Sequence, residues 1–243
     1  LRSRTAAELA RTPYPVTAEV LADALVPAFE TPLGPIASGL RLRDFGVADR
    51  LSELDFELPL AGGDRPTGAR VRVADLAAVL AEHVGDHPHL HAYPAMLASE
   101  PTGEQTLRGY LTGSIDSVLR VRDDAGGPPR HLVVDYKSNW LGEFGVPLTV
   151  ASYHPDRVAE AMMRAHYPLQ ALLYSVALHR FLSWRMPDYD PATHLGGIAY
   201  LFVRGMAGPD TPTVDQVPYG VFSWDPGPDL VIAWSQLLAG EGA

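Results

Sequence analysis

Three side chains within one short stretch have the types and spacing that metal-assisted hydrolysis needs: Asp116, Asp135 and Lys137. They lie in GYLTGSIDSVLRV and HLVVDYKSNW, two runs joined by RDDAGGPPR. A lysine beside a metal-binding carboxylate can orient an attacking water and steady charge on a phosphate oxygen. Lys137 is the sole lysine of a chain otherwise rich in arginine. Arginine neither releases a proton nor offers a compact point charge, so the two cations are not interchangeable here. An arginine-biased composition could leave one lysine at this place by chance. It does not account for the set of three.

Placing these groups together requires two strands, expected over Leu111–Val121 and His131–Lys137, folded as an antiparallel hairpin across the turn-forming link Arg122–Arg130. Asp116 and Asp135 are equidistant from its Ala125–Gly126 midpoint and so oppose each other. Opposed side chains lie roughly 5 Å apart, and two carboxylates at that spacing repel by about 3 kcal/mol at an effective dielectric near 20. A cation or a shared proton must offset this. Lys137, two residues beyond Asp135, points to the same face. On the first strand, alternation puts Leu111, Gly113, Ile115 and Leu119 on one face and Thr112, Ser114, Asp116 and Arg120 on the other. Gly113 suits a close approach or a bulge. The run Leu132-Val133-Val134 marks the second strand as central and buried, where an acid and a lysine are costly unless they serve a site.

GYLTGSIDSVLR and VVDYKSNWLG, followed in order by HYPLQALLYSVALHRFL, GGIAYLFVRG and YGVFSWDPGPDL, resemble the C-terminal nuclease domain of RecB subunits of RecBCD-type helicase–nucleases. That domain belongs to the PD-(D/E)XK superfamily, and the resemblance covers roughly residues 50–240. It implies an α/β fold with a restriction-endonuclease-like core, a central mixed β-sheet flanked by helices. It implies residues 1–50 as a helical and loop lead-in, the remnant of a longer chain, and residues 51–243 as the nuclease domain. The implied activity is Mg²⁺-dependent phosphodiester hydrolysis of the exodeoxyribonuclease V type, in double-strand-break repair and recombination. Asp116, Asp135 and the Tyr136 backbone carbonyl would hold one or two Mg²⁺, with Lys137 orienting the hydroxide. Gln170 and Tyr174 match a Q-x-x-x-Y motif lining the DNA cleft, and Asp55 matches the position of an accessory acid that is Glu in one family member. The implied partners are a DNA single strand delivered by a helicase, RecC, RecD and RecA. One family feature is missing: a metal-ligating histidine in a G-T-x-x-H pattern upstream, for no histidine precedes His83. The chain is therefore expected to begin after that helix. A second reading is a catalytically incompetent module that docks RecA through an acidic surface. A Cas4-like exonuclease is disfavoured, because its four-cysteine cluster cannot be built without cysteine.

At 243 residues and 47% hydrophobic, the chain can bury one good core. A net charge of −10 argues against a self-sufficient basic nucleic-acid surface, so affinity for DNA would come mainly from metal ions and partner subunits. No signal peptide and no apolar run of about 18 residues is evident, so a soluble cytoplasmic protein without membrane contact is expected.

Along the chain, Thr17–Phe29 reads as a helix in a Pro- and Ala-rich lead-in that serves as linker or packing flap. Ser52–Leu58 alternates as a half-buried strand, with Leu54, Phe56 and Leu58 inward and Glu53, Asp55 and Glu57 outward. Residues 61–70 form a loop and Asp75–Val84 a helix; His83, His87, His89 and His91 fit no closed zinc site and read as surface histidines. Trp140 and Leu141 are expected to plug the core. Asp156 would cap a helix Arg157–His166, and Pro168 would open a longer one, Pro168–Arg185, placing Gln170 and Tyr174 on one face. Gly196–Val203 reads as a buried strand whose Arg204 could meet a phosphate or form an ion pair. Val221–Trp224 reads as an edge strand and Asp229–Leu238 as a closing helix.

Overall fold

Five strands form the main sheet: β1 (Arg50–Pro59), β2 (Tyr110–Val121), β3 (Arg130–Lys137), β4 (Leu195–Phe202) and β5 (Val221–Trp224). They lie side by side in chain order. β1, β2 and β3 run antiparallel in turn, β4 is parallel to β3, and β5 returns antiparallel on β4. The computed structural model describes residues 1–12, 14–61, 70–85, 87–99, 101–122 and 126–241. The loop expected at 61–70 falls mostly on residues 62–69, and the centre of the hairpin link on 123–125; both lie outside the described residues. Among the described residues, no helix is long and apolar enough to cross a membrane.

Six helices matter to the sheet: α1 (Arg2–Arg11), α2 (Ala18–Glu30), α3 (Val73–Val84), α4 (Pro155–Arg164), α5 (Tyr167–Arg185) and α6 (Gly227–Ala239). The result is the α/β architecture the family resemblance implies, with a mixed sheet flanked by helices. Parallel strands need a long crossover, and α4 and α5 supply it between β3 and β4. Their apolar stripes, Val158 and Met162 on α4 and Leu172 and Val176 on α5, are fully buried with Leu76 and Leu80 of α3 and Trp234 of α6. Each such side chain contributes roughly 1.5–3 kcal/mol by leaving water. α4 starts two residues earlier than expected, at Pro155, and its cap is the His154 ring accepting from Asp156 N–H, not the Asp156 carboxylate.

The other face of the sheet is covered by the lead-in. Ala28, Leu33, Ala37, Leu42 and Phe45 pack with Leu119, Val121, Leu132, Val134, Ala199 and Leu201. Residues 28–45 therefore act as a packing layer. β4 is sandwiched: Ile198, Tyr200 and Phe202 face α5, while Ala199 and Leu201 face the lead-in. A strand buried on both sides reads as a continuous apolar run.

One expected assignment fails. Ile115 belongs to the cluster under α5, whereas Leu119 and Val121 belong to the lead-in cluster, although simple alternation gives all three one face. The alternation breaks at Asp116. The β1–β2 ladder pairs Leu54 with Ile115 and Ser52 with Ser117, but omits Glu53 with Asp116. Glu53 adopts φ +53°, a left-handed conformation uncommon for a non-glycine residue. Both strands thus leave the pleat at one point, and the register is unchanged on either side.

Candidate active site

β3 ends in Asp135, Tyr136 and Lys137, and its hairpin register with β2 is the symmetric one: Ser117 pairs with Val134, one step before Asp116 and Asp135. Beyond that pair the ladder stops. Asp116 uses the fork so formed, its Oδ2 accepting from Tyr136 N–H at 2.9 Å. N–H and C=O of one strand residue point to the same neighbouring strand, so the Tyr136 carbonyl also faces the β2 side of the fork.

Lys137 is held from every side. Its ammonium lies 2.7 Å from Asp135 Oδ2 and donates to Gln170 Oε1 at 3.2 Å. It also sits 3.9 Å from the centroid of the Tyr167 ring and 5.0 Å from that of Tyr200, within cation–π range. Tyr200 donates to the same Gln170 oxygen at 3.0 Å, and Gln170 Nε2 donates to Tyr174 hydroxyl at 3.0 Å. Gln170 and Tyr174 are four apart on α5 and share a face. A lysine in this setting has one reachable position for its charge.

The electrostatics follow from burial. Asp135 is 3% exposed. Desolvation pushes its pKa up, Lys137 opposes the rise, and the Asp116 charge adds to it. The Tyr174 hydroxyl is also pushed up, first by burial and then by the two carboxylates. These couplings place Asp116, Asp135 and Tyr174 in one electrostatic neighbourhood.

The donor set suits a hard divalent cation. Asp135 Oδ2 is buried and accepts no well-aligned hydrogen bond, the lysine approaching off the bonding direction. Two carboxylates and a carbonyl are oxygen ligands of the kind Mg²⁺ takes while keeping several waters. Among the described residues, no cluster of three or more His, Asp or Glu side chains forms a metal cage, so most of its coordination would be water.

Asp116, Asp135, Lys137, Gln170 and Tyr174, all expected in the site, thus come together. Asp55 does not join them. It is exposed opposite Ser114, between Leu54 and Phe56, which face α5. Alternation therefore turns its carboxylate away from Gln170. Phe56 instead fills the space left by Gly113, where an added Cβ would lie 2.7 Å from Phe56 Cζ, and meets Tyr174 edge-on at 5.8 Å. Trp140, expected to plug the core, is 54% exposed; only Leu141 packs against the core. Arg204 donates from Nε to Ser138 carbonyl at 2.9 Å, bracing the loop after β3. His83, His87 and His91 bond to nearby backbone rather than to one another.

Tyr167 and Tyr200 were not legible as site residues. Tyr200 sits in an apolar strand run and Tyr167 at a helix start, where aromatic residues normally signal core packing. Only their proximity to the single lysine, visible in three dimensions, marks them.

No protein-family model matches the chain. Among curated proteins, it is 53% identical over 230 residues to the RecBCD enzyme subunit RecB of Mycolicibacterium smegmatis, covering 94% of this chain and 21% of that protein. It is 55% identical over 220 residues to the RecB subunit of Mycobacterium tuberculosis H37Rv, covering 90% and 19%. With the RecB subunit of Escherichia coli K12 it shares 35% identity over 147 residues, covering 60% and 11%. The chain spans about a fifth of the length of the first two relatives.

Proposed function

We propose that this chain, homologous across nearly all its residues to a segment of RecB subunits, carries a phosphodiester-hydrolysing centre of the PD-(D/E)XK type. Its substrate is DNA, and its setting is a RecBCD-type helicase–nuclease in double-strand-break repair and recombination. RecC and RecD are its partner subunits there, as the name of its relatives implies, and RecA is a further partner. The observation that carries the reading is Lys137 clamped between Asp135, Gln170 and two aromatic rings, one residue from the fork where Tyr136 N–H meets Asp116.

Asp116, Asp135 and the Tyr136 carbonyl would hold Mg²⁺, which supplies a bound water of lowered pKa and neutralises phosphate charge. The Lys137 ammonium orients the attacking oxygen and steadies negative charge developing on the phosphate. Gln170, accepting from Lys137 and Tyr200 at once, fixes the ammonium so that little reorganisation accompanies reaction. Burial of Asp135 favours a site that fills its charge deficit with a cation, because the buried carboxylate is poorly solvated on its own.

The test is cleavage of end-labelled single-stranded DNA with Mg²⁺ and with chelator. Asp116→Asn and Asp135→Asn should each lower the rate by at least about a hundredfold while the fold persists by circular dichroism. Undiminished cleavage by the Asp135 variant removes the reading. An intact chain that never cleaves with Mg²⁺, yet binds RecA, favours the docking module suggested by the net charge of −10.

A further inference from the structure

The loop after β3 carries an exposed indole beside arginines, in a chain that is otherwise acidic. Trp140 borders a groove of about 490 Å³ shared with Leu141, Gly142, Arg157, Glu160 and Arg164. The indole is held at its base. The Arg204 guanidinium lies 5.9 Å from its ring centroid, and that arginine donates to the Ser138 carbonyl. Gly142 admits the ring: an added Cβ there would stand 3.0 Å from Trp140 Nε1 and 2.8 Å from Leu148 Cδ1. Leaving a fixed tryptophan 54% exposed costs hydrophobic free energy that burial against a ligand would recover.

The charges around it select the ligand. Arg157 has no ion-pair or hydrogen-bond partner among the described residues. Among the described residues Arg164 reaches only Glu160, at 3.8 Å, with both side chains about two-thirds exposed; such surface pairs hold little energy. The groove therefore presents two available guanidinium groups and a flat aromatic face, with one carboxylate against them. Aromatic faces interleaved with arginines are the recurring platform for unpaired nucleobases and their phosphates. A duplex keeps its bases stacked on one another and offers no free face to an indole. The position is also suitable, since three residues of chain, at most about 11 Å, separate Trp140 from Lys137.

We propose that this groove is a stacking subsite for a nucleobase of single-stranded DNA lying next to the scissile phosphate. The base rests on Trp140, and the adjoining phosphate meets Arg157 and Arg164. The assignment of the polymer as DNA rests on the hydrolytic reading above; the subsite itself is tested without any cleavage.

The experiment is a titration of intrinsic tryptophan fluorescence with a short oligodeoxythymidine, in chelator and at low salt. Trp184, 76% exposed, is first replaced by Phe so that the remaining exposed indole is Trp140; Trp224 and Trp234 are buried. Single-stranded oligomer should quench the emission, and a duplex of equal length should not. Trp140→Ala should weaken binding, read by oligomer anisotropy, about 5- to 150-fold, the range of one base–aromatic stack. Trp140→Phe should restore most of it, and Arg157→Gln with Arg164→Gln should flatten the salt dependence. Quenching in chelator with no cleavage once Mg²⁺ is supplied would leave the subsite standing and remove the nuclease reading; Mg²⁺-dependent cleavage without quenching would do the reverse. Equal quenching by duplex, or affinity within twofold in Trp140→Ala, overturns the subsite.

Discussion

Replacing Lys137 with Met removes the ammonium that sits over the Tyr167 ring while keeping an unbranched side chain of similar length. Asp135 then stays buried at 3% exposure without its cation. Breaking a buried ion pair on one side costs about 3–5 kcal/mol. The Lys137 side chain retains 13% exposure, so the lower end applies, about 3 kcal/mol. A domain of this size loses roughly 2–4 °C of melting temperature per kcal/mol, giving a fall of about 6–12 °C. Asp135→Asn combined with Lys137→Met leaves no unpaired charge and should recover most of the loss. The pH dependence has a definite sign. Burial raises the folded-state pKa of Asp135 above its unfolded value, so the native state binds the proton more readily and gains stability as pH falls through that raised value. Without Lys137 this gain grows, and the deficit of Lys137→Met should shrink on acidification towards the ordinary carboxylate range. Differential scanning calorimetry in chelator reads all of these. A Lys137→Met protein that melts within about 2 °C of the parent, or a double variant as unstable as the single one, would refute the reasoning.

Gln170→Leu removes the acceptor shared by Lys137 and Tyr200; cleavage should fall about 10- to 100-fold with unchanged Mg²⁺ half-saturation, measured in steady-state assays. Gly113→Val drives a side chain into the Phe56 ring and should destabilise the protein by about 1–3 kcal/mol, with Phe56→Leu restoring much of the melting temperature. Burial lowers the pKa of His87, His131 and His179, so the unfolded chain takes up protons first. Stability should therefore decline as pH drops below about 6.5, and melting temperatures that hold or rise there in thermal scans would contradict it.

The hairpin was legible because turn formers separate two alternating runs, and a symmetric fold fixes which residues meet. The Gln170–Tyr174 pair was legible from helical spacing together with the family motif. What alternation could not reveal was its own interruption. Nothing in SELDF or GSIDS marks Glu53 as left-handed, yet that departure from the pleat moves Leu119 to the opposite face from Ile115. Asp55 matched by motif position, but strand parity turns it outward. Trp140 was expected to plug the core together with Leu141, whereas exposure depends on how the following loop turns. The lead-in showed little periodicity beyond Thr17–Phe29, since its packing residues lie on short turns, so its burial against the sheet came only from tertiary contact.

The segment spanning Ala28 to Phe45 has a mechanical consequence. It presses on Leu132 and Val134, while Val133 packs on the opposite side of the same ribbon. Anything that softens this backing plate, such as a cavity at Leu33, would tilt the peptide planes that aim Asp135 and Lys137. Under the proposed hydrolytic function, damage remote from these side chains would then surface as lost turnover with substrate affinity preserved.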